Sequence, residues 1–155
     1  MANWKQGLVN VTPDMGYIGK KSQIRYMSTW ELKAFQNCIR LYKAKRIKGW
    51  QSEETQFEYY HNIDNKTHRY FMDLTIQTED KTFFVEIKPY GEHSAPPKMP
   101  KGNRITESYQ RAVATWFKNQ DKWDAVKKWV EEENKKAGRE AYKFVIWDEY
   151  TLNIK

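Results

Sequence analysis

Residues 70–88 read YFMDLTIQTEDKTFFVEIK and form two alternating apolar and polar runs around a turn. In both runs, 70–76 and 83–87, every second residue belongs to one apolar face, which is the period of a half-buried β-strand. Residues 79–80, a Glu-Asp pair, separate the two runs. The sequence therefore predicts two consecutive strands, 70–76 and 83–87, joined by a turn centred on these residues.

A turn at this position places two carboxylates opposite each other. It pairs Asp73 with Glu86, and directly opposed side chains have Cβ atoms about 4.5 to 5.5 Å apart. Lys88 then points to the same side as Glu86, on the face opposite to the apolar side chains at 72, 74, 85 and 87. Two such carboxylates require a shared proton or a cation. Mg²⁺ is the simpler answer because it prefers oxygen ligands, and the number of ions is left open.

The rest of the chain predicts one α/β domain behind an N-terminal arm. Residues 1–27 carry scattered Gly, Pro and basic residues without periodicity, so we expect an irregular arm and a single domain over 28–155. Ser28 and Glu31 form a capping box that begins the first helix. The remaining predicted elements are a helix over 28–44, a strand over 56–60 with a hairpin turn at 61–66, a loop over 91–104, one or two helices to about 137 and a strand over 142–147. This order is typical of an α/β sandwich with a mixed central sheet.

Composition limits the partners and the kind of metal site. The chain has 155 residues, a net charge of +7 and a pI near 9.3, which favours an anionic partner, most commonly nucleic acid. One cysteine, Cys38, excludes an internal disulfide and a cysteine-based zinc site, so a metal would be held mainly by oxygen. No apolar run approaches the 18 or so residues of a membrane span, and we expect an intracellular protein without a membrane partner.

The spacing of the acidic residues resembles a known superfamily. Asp73, twelve intervening residues and then Glu86-Ile87-Lys88, on consecutive strands behind an acidic helix, resemble the PD-(D/E)XK nucleases. Met72 stands where that motif often has Pro. Longer stretches look like the head completion nucleases of T-even-type tailed phages, and the surroundings of Glu31, Asp73 and Lys88 resemble the TnsA-like transposon nucleases. These stretches are residues 26–33, 50–54, 68–73, 85–89 and 118–123.

The resemblance implies a restriction-endonuclease-like αβββαβ core, with a mixed central sheet flanked by helices, and a metal-dependent nuclease site. Asp73 and Glu86 would hold Mg²⁺, for which Mn²⁺ substitutes, with the Ile87 carbonyl as a further ligand. Lys88 would be the catalytic lysine. Glu31 would serve as a helix cap and would also complete the acidic site.

The resemblance also implies a biological setting. We expect endonuclease action, with exonuclease action as a further option, on packaged or protruding double-stranded DNA during late head assembly and head-tail joining. The partners would be DNA and phage head or portal and neck proteins, with no nucleotide cofactor. The protein would act in the virion head or in the host cytoplasm during assembly.

A basic loop follows the catalytic strand. Lys98, Lys101 and Arg104 in this loop, with Arg111 on the next helix, are candidates for contacts to DNA phosphates, which position DNA without reading its sequence. The resemblance places Gln110 near the substrate. We therefore expect weak sequence specificity and strong salt dependence.

Other interpretations of the same residues remain open. The first alternative is a non-catalytic DNA-binding or neck-assembly protein with a nuclease-like fold, and another is a transposase subunit or a repair endonuclease of the same fold. The presence of Asp73, Glu86 and Lys88 together favours the nuclease. Glu53 and Glu54 are interpreted as exposed charges.

Overall fold

The computed structural model describes residues 5–153, which contain eight strands and three helices. The strands are β1 Gly7–Asn10, β2 Gln23–Tyr26, β3 Gly49–Ser52, β4 Gln56–His61, β5 Lys66–Phe71, β6 Leu74–Gln77, β7 Thr82–Ile87 and β8 Tyr142–Trp147. The helices are α1 Thr29–Lys43, the single turn α2 Tyr90–His93 and α3 Glu107–Ala137. Short 3₁₀ turns occupy Pro13–Met15 and Lys101–Asn103. Within this part of the chain no helix is both long and apolar enough to cross a membrane.

A mixed four-stranded sheet forms the centre of the molecule. Its strand order is β3-β6-β7-β8. β6 is antiparallel to both β3 and β7, whereas β8 is parallel to β7. With α1 before β3 and α3 between β7 and β8, the elements follow the predicted αβββαβ order. The predicted fold class is confirmed.

The central hairpin has the predicted register. Leu74 pairs with Val85 and Gln77 with Thr82, and the Thr78 N–H donates to the Lys81 carbonyl across the turn at 2.8 Å. The paired ladder ends at Leu74, so Asp73 lies one residue beyond the strand. This position frees the Asp73 carboxylate to bond with the end of β7.

The predicted strand over 70–76 is wrong as a single element, because the chain breaks at residues 72 and 73. Met72 donates its N–H to the Thr55 carbonyl at 2.9 Å and accepts a hydrogen bond from the Glu53 N–H at 3.1 Å. These bonds turn the chain from β5 into β6. Met72 consequently packs with Phe57 and the α3 side, whereas Leu74 packs on the α1 side, so the prediction that the two share a face is also wrong.

The first strand of the central sheet is β3, which the sequence did not reveal. Trp50 in β3 is 0% exposed, and three of the four residues are buried, so the strand lacks a period-two pattern. The predicted strand over 56–60 is β4, but it pairs with β5 in a separate two-stranded ribbon. The predicted hairpin turn at 61–66 joins these two strands.

The predicted irregular arm is wrong over residues 5–27, which form the β1–β2 hairpin and part of the core. Ile24 and Tyr17 are buried in the cluster beneath α1, and the Tyr17 ring contacts the Trp50 ring edge-on at 5.0 Å. The Trp50 Nε1–H donates to the Met15 carbonyl at 2.9 Å. Residues 1–4 of the predicted arm, and residues 154–155 of the predicted domain, lie outside the described residues.

Both faces of the central sheet are covered. On one face α1 packs through Phe35 and Cys38 against Trp50. On the other, α3 packs through Trp123 and Val126. The predicted start of α1 and the predicted end of α3 are confirmed: Ser28 accepts from the Glu31 N–H at 3.4 Å, and Gly138, with a φ of 68°, ends α3. The N-terminus of α1 therefore sits beside the end of the central hairpin.

The contribution of the N-terminal hairpin to the core can be measured. We expect Ile24→Ala to lower the free energy of unfolding by about 3 kcal/mol, because Ile24 is 3% exposed and truncation leaves a cavity. Leu8→Ala, at a side chain 62% exposed in the same hairpin, should change it by less than about 0.5 kcal/mol. Urea titration measures both values. If the two substitutions have equally small effects, residues 5–27 do not contribute to the core and are an arm.

Candidate active site

A cavity of about 660 Å³ opens where β7 ends, between the start of α1 and the middle of α3. It brings together most of the predicted site, because Glu31, Asp73, Glu86, Ile87 and Lys88 all line it. The full set of lining residues is Ser28, Trp30, Glu31, Arg69, Tyr70, Phe71, Asp73, Glu86, Ile87, Lys88, Pro89, Glu92, Lys122 and Glu149.

The end of the hairpin holds the two predicted carboxylates. The Ile87 N–H donates to Asp73 Oδ2 at 2.8 Å, which fixes Asp73 against β7. Glu86 is only 6% exposed, and its Oε2 accepts a hydrogen bond from the Tyr70 hydroxyl. Lys88 Nζ lies 4.0 Å from Glu86 Oε1. The predicted grouping of Asp73, Glu86 and Lys88 is therefore present in the structure.

A third strand adds a carboxylate that the sequence interpretation missed. Glu31, Glu53 and Asp73 each offer one oxygen, and these oxygens lie within 4.8 Å of one another. Glu53 follows β3 with a φ of 51°, and it is partly buried instead of fully exposed. Its interpretation as an exposed surface charge is wrong. The missing information was the pairing of β3 with β6, which brings residue 53 beside residue 73.

Glu31 belongs both to the helix cap and to the acidic cluster. Its Oε2 accepts from the Met27 N–H at 3.0 Å and from the Ser28 hydroxyl at 3.3 Å, so the carboxylate is tied to the start of α1. The same side chain belongs to the cluster with Glu53 and Asp73. The cap thus orients a carboxylate toward the cavity.

Burial and mutual repulsion raise the pKa of two carboxyl groups, Asp73 and Glu31. Burial, with the nearby charge of Glu86, raises the pKa of Asp73 well above its usual value, against the opposing effect of the Ile87 N–H. Burial also raises the pKa of Glu31, although the Met27 and Ser28 hydrogen bonds oppose this effect. Buried carboxylates that repel one another are the donor set that a hard divalent cation neutralises, so these residues fit an oxygen-bound metal.

Comparison with known proteins shows which family the chain belongs to. Residues 44–136 match the family described as TnsA-like endonuclease N terminal. The chain belongs to the TnsA-like endonuclease family. It is also 34% identical, over 118 residues, to the head completion nuclease of Enterobacteria phage T4, an alignment that covers 74% of this chain and 76% of that protein. No solved structure matches it. The predicted resemblance is confirmed, and the protein is a nuclease.

Two further residues of this TnsA-like nuclease reach the cavity. Tyr70 comes from β5, and besides bonding Glu86 its ring lies 5.2 Å from the Lys122 ammonium of α3. Burial strongly raises the pKa of the Tyr70 hydroxyl, and the charge of Glu86 adds to this effect. Burial lowers the pKa of Lys122, whereas Glu86 raises it. Neither residue was assigned to the site from the sequence, because they come close together only where the β4–β5 ribbon packs against α3.

The predicted DNA-contacting residues lie elsewhere. Lys98, Lys101, Arg104 and Arg111 are exposed, and none of them lines the cavity. Gln110 lines a separate groove formed by the N-terminal half of α3 and the β4–β5 turn. The structure does not bring these five residues to the acidic cluster, and their role in binding DNA stays a prediction.

The raised pKa of Asp73 predicts a pH dependence of stability in the metal-free TnsA-like nuclease. The pKa of Asp73 in the folded protein lies above the ordinary value of 3.8. Protonated Asp73 therefore contributes its full stabilisation below pH 3.8, and this contribution is lost as the pH rises through the folded pKa. We therefore expect Asp73→Asn to raise Tm at pH 8 in EDTA by more than about 2 °C. The gain should shrink as the pH falls toward 4.

Thermal unfolding between pH 4 and 8 measures this difference. Glu79→Gln is the matched control, because Glu79 is exposed in the hairpin turn outside the cavity. A Tm gain for Asp73→Asn that is independent of pH, or a loss at pH 8, would contradict the electrostatic account.

Proposed function

We propose that this nuclease hydrolyses DNA phosphodiester bonds with Mg²⁺ held at the acidic cluster. The observation that carries the proposal is the convergence of Glu31, Glu53 and Asp73 oxygens within 4.8 Å of one another. Glu31 and Asp73 also line the cavity that contains Lys88. Glu86, and the Ile87 carbonyl, are the further ligands of this proposal, and Mn²⁺ is the expected substitute. Bound Mg²⁺ would polarise the phosphodiester and lower the pKa of a coordinated water.

The residues of the chain have separate tasks in this proposal. Lys88, whose side chain is 23% exposed, presents a positive charge to the cavity and would orient the attacking water and offset charge developing on the phosphate. Glu86 is held in place by the Tyr70 hydroxyl, and Asp73 by the Ile87 N–H. These two bonds keep the carboxylates in position before the substrate arrives.

The proposed biological role is inferred from the name of a similar protein. Because a similar protein is named a head completion nuclease, we propose that this one trims packaged or protruding double-stranded DNA late in head assembly, before the head joins the tail. It would act as an endonuclease, with exonuclease action as an option, in the virion head or the host cytoplasm. Its protein partners would be head or portal and neck proteins, and the exposed basic residues after β7 would bind the DNA backbone.

Cleavage of supercoiled plasmid tests the reaction. We expect nicking or degradation with Mg²⁺ and none with EDTA, since the cluster is acidic and needs a cation to accept a phosphate. Asp73→Ala and Lys88→Ala should each reduce the rate by more than about a hundredfold. Glu79→Ala, in the exposed turn, is the control and should cut at the wild-type rate.

The opposite outcome has a defined meaning. If the plasmid stays intact with every divalent metal while the protein still retards DNA in a gel, the protein is a DNA-binding assembly protein and not an active nuclease.

Metal binding separates the roles of the carboxylates. We expect Glu53→Gln to weaken Mn²⁺ and Mg²⁺ binding by at least about tenfold in titration calorimetry, because it removes one charge from the cluster. Glu58→Gln, an exposed glutamate on β4, is the matched control. Unchanged affinity in Glu53→Gln, with loss in Glu86→Gln, would restrict the metal to Asp73 and β7.

A further inference from the structure

Lys122 is a cation of the cavity without a carboxylate partner among residues 5–153. It lines the cavity from α3, and within this described range its ammonium makes neither an ion pair nor a hydrogen bond. Lys88, the other lysine of the cavity, lies 4.0 Å from Glu86. The two lysines therefore differ in how their charge is compensated.

Two aromatic rings hold the Lys122 ammonium in place. Its Nζ lies 5.2 Å from the centre of the Tyr70 ring and 5.9 Å from that of Tyr59. A cation–π contact attracts the charge without forming a hydrogen bond to an oxygen, so the N–H groups that do not face the rings can donate to an anion. The arrangement positions a cation but leaves its hydrogen-bonding capacity open.

The position of Lys122 relative to the carboxylates is suited to a phosphate. Tyr70 contacts Lys122 through its ring and Glu86 through its hydroxyl, so one side chain positions both the ammonium and a carboxylate of the cavity. A phosphodiester that approaches the acidic cluster meets repulsion from the carboxylates. A cation that lines the same cavity as Lys88 would offset this repulsion.

We propose that Lys122 binds a backbone phosphate of the DNA strand that enters the cavity. This inference rests on the proposed nuclease function and adds a substrate-binding residue on α3 to those on the hairpin. The competing explanation is that Lys122 only stabilises the packing of α3 on Tyr59 and Tyr70.

Binding measurements on the full chain distinguish the two explanations. The variants are Lys122→Met, which keeps the aliphatic stem, Lys122→Arg, which keeps the charge, and Lys128→Met as a control at an exposed lysine of α3 outside the cavity. The probe is a fluorescently labelled 30-base-pair duplex in Ca²⁺, titrated at several salt concentrations. Thermal unfolding is measured for each variant.

We expect Lys122→Met to weaken DNA binding about tenfold and to lower the slope of log affinity against log salt by about 0.9, the value of one phosphate contact. Its Tm should match wild type. Lys122→Arg should keep the wild-type slope. Lys128→Met should change affinity less than Lys122→Met does. In plasmid cleavage with Mg²⁺, Lys122→Met should raise KM more than it lowers kcat, since the phosphate is held before and during the reaction.

Each result supports or overturns the inference. An unchanged salt slope and KM in Lys122→Met, or a lowered Tm with an unchanged slope, leaves Lys122 as a packing residue. If wild type binds DNA but cuts nothing with Mg²⁺, the proposed function fails, while the salt slope of Lys122→Met still decides whether Lys122 contacts phosphate.

Discussion

The hydrogen bond from the Ile87 N–H to Asp73 is the contact on which the site depends. It joins the residue just before β6 to the end of β7, so the hairpin register determines how close the carboxylates come. Repulsion alone would separate Asp73 from Glu86 and Glu31, and burial together with this repulsion raises the pKa of Asp73. The packing of α1 and α3 on the two faces of the sheet supplies the stabilisation that holds these charges together.

A cation at this cluster would couple the stability of the fold to the function. The repulsion among the carboxylates opposes folding in the metal-free protein, and an ion that binds only the folded state adds stability in proportion to the logarithm of its concentration above Kd. Glu31 extends the coupling to α1, because one carboxylate both caps the helix and belongs to the cluster. The start of α1 is therefore part of the site and not only of the scaffold.

Local patterns predicted the elements that are half-buried or capped, and tertiary contacts determined the others. The 74–77 and 82–85 pairing follows from alternation and the turn, and Ser28 and Gly138 mark helix ends by their own chemistry. β3 is buried on both faces and shows no period, so Glu53 could not be placed beside Asp73 from sequence. The break at residue 72 depends on bonds to Glu53 and Thr55, which no local pattern reveals.

The β4–β5 ribbon explains how α3 contributes to a site built on another sheet. The ribbon lies outside the central sheet, yet Tyr70 on β5 bonds Glu86 and contacts Lys122. Its turn is fixed to α3 by His61, whose Nδ1 lies 2.9 Å from Asp121 Oδ2, at the residue before Lys122. Because Asp121 anchors the helix to the ribbon and Tyr70 anchors the ribbon to Glu86, the Lys122 ammonium is held at a defined place relative to the carboxylates. The ribbon is thus the element that sets the spacing between the cation on α3 and the acidic end of the hairpin.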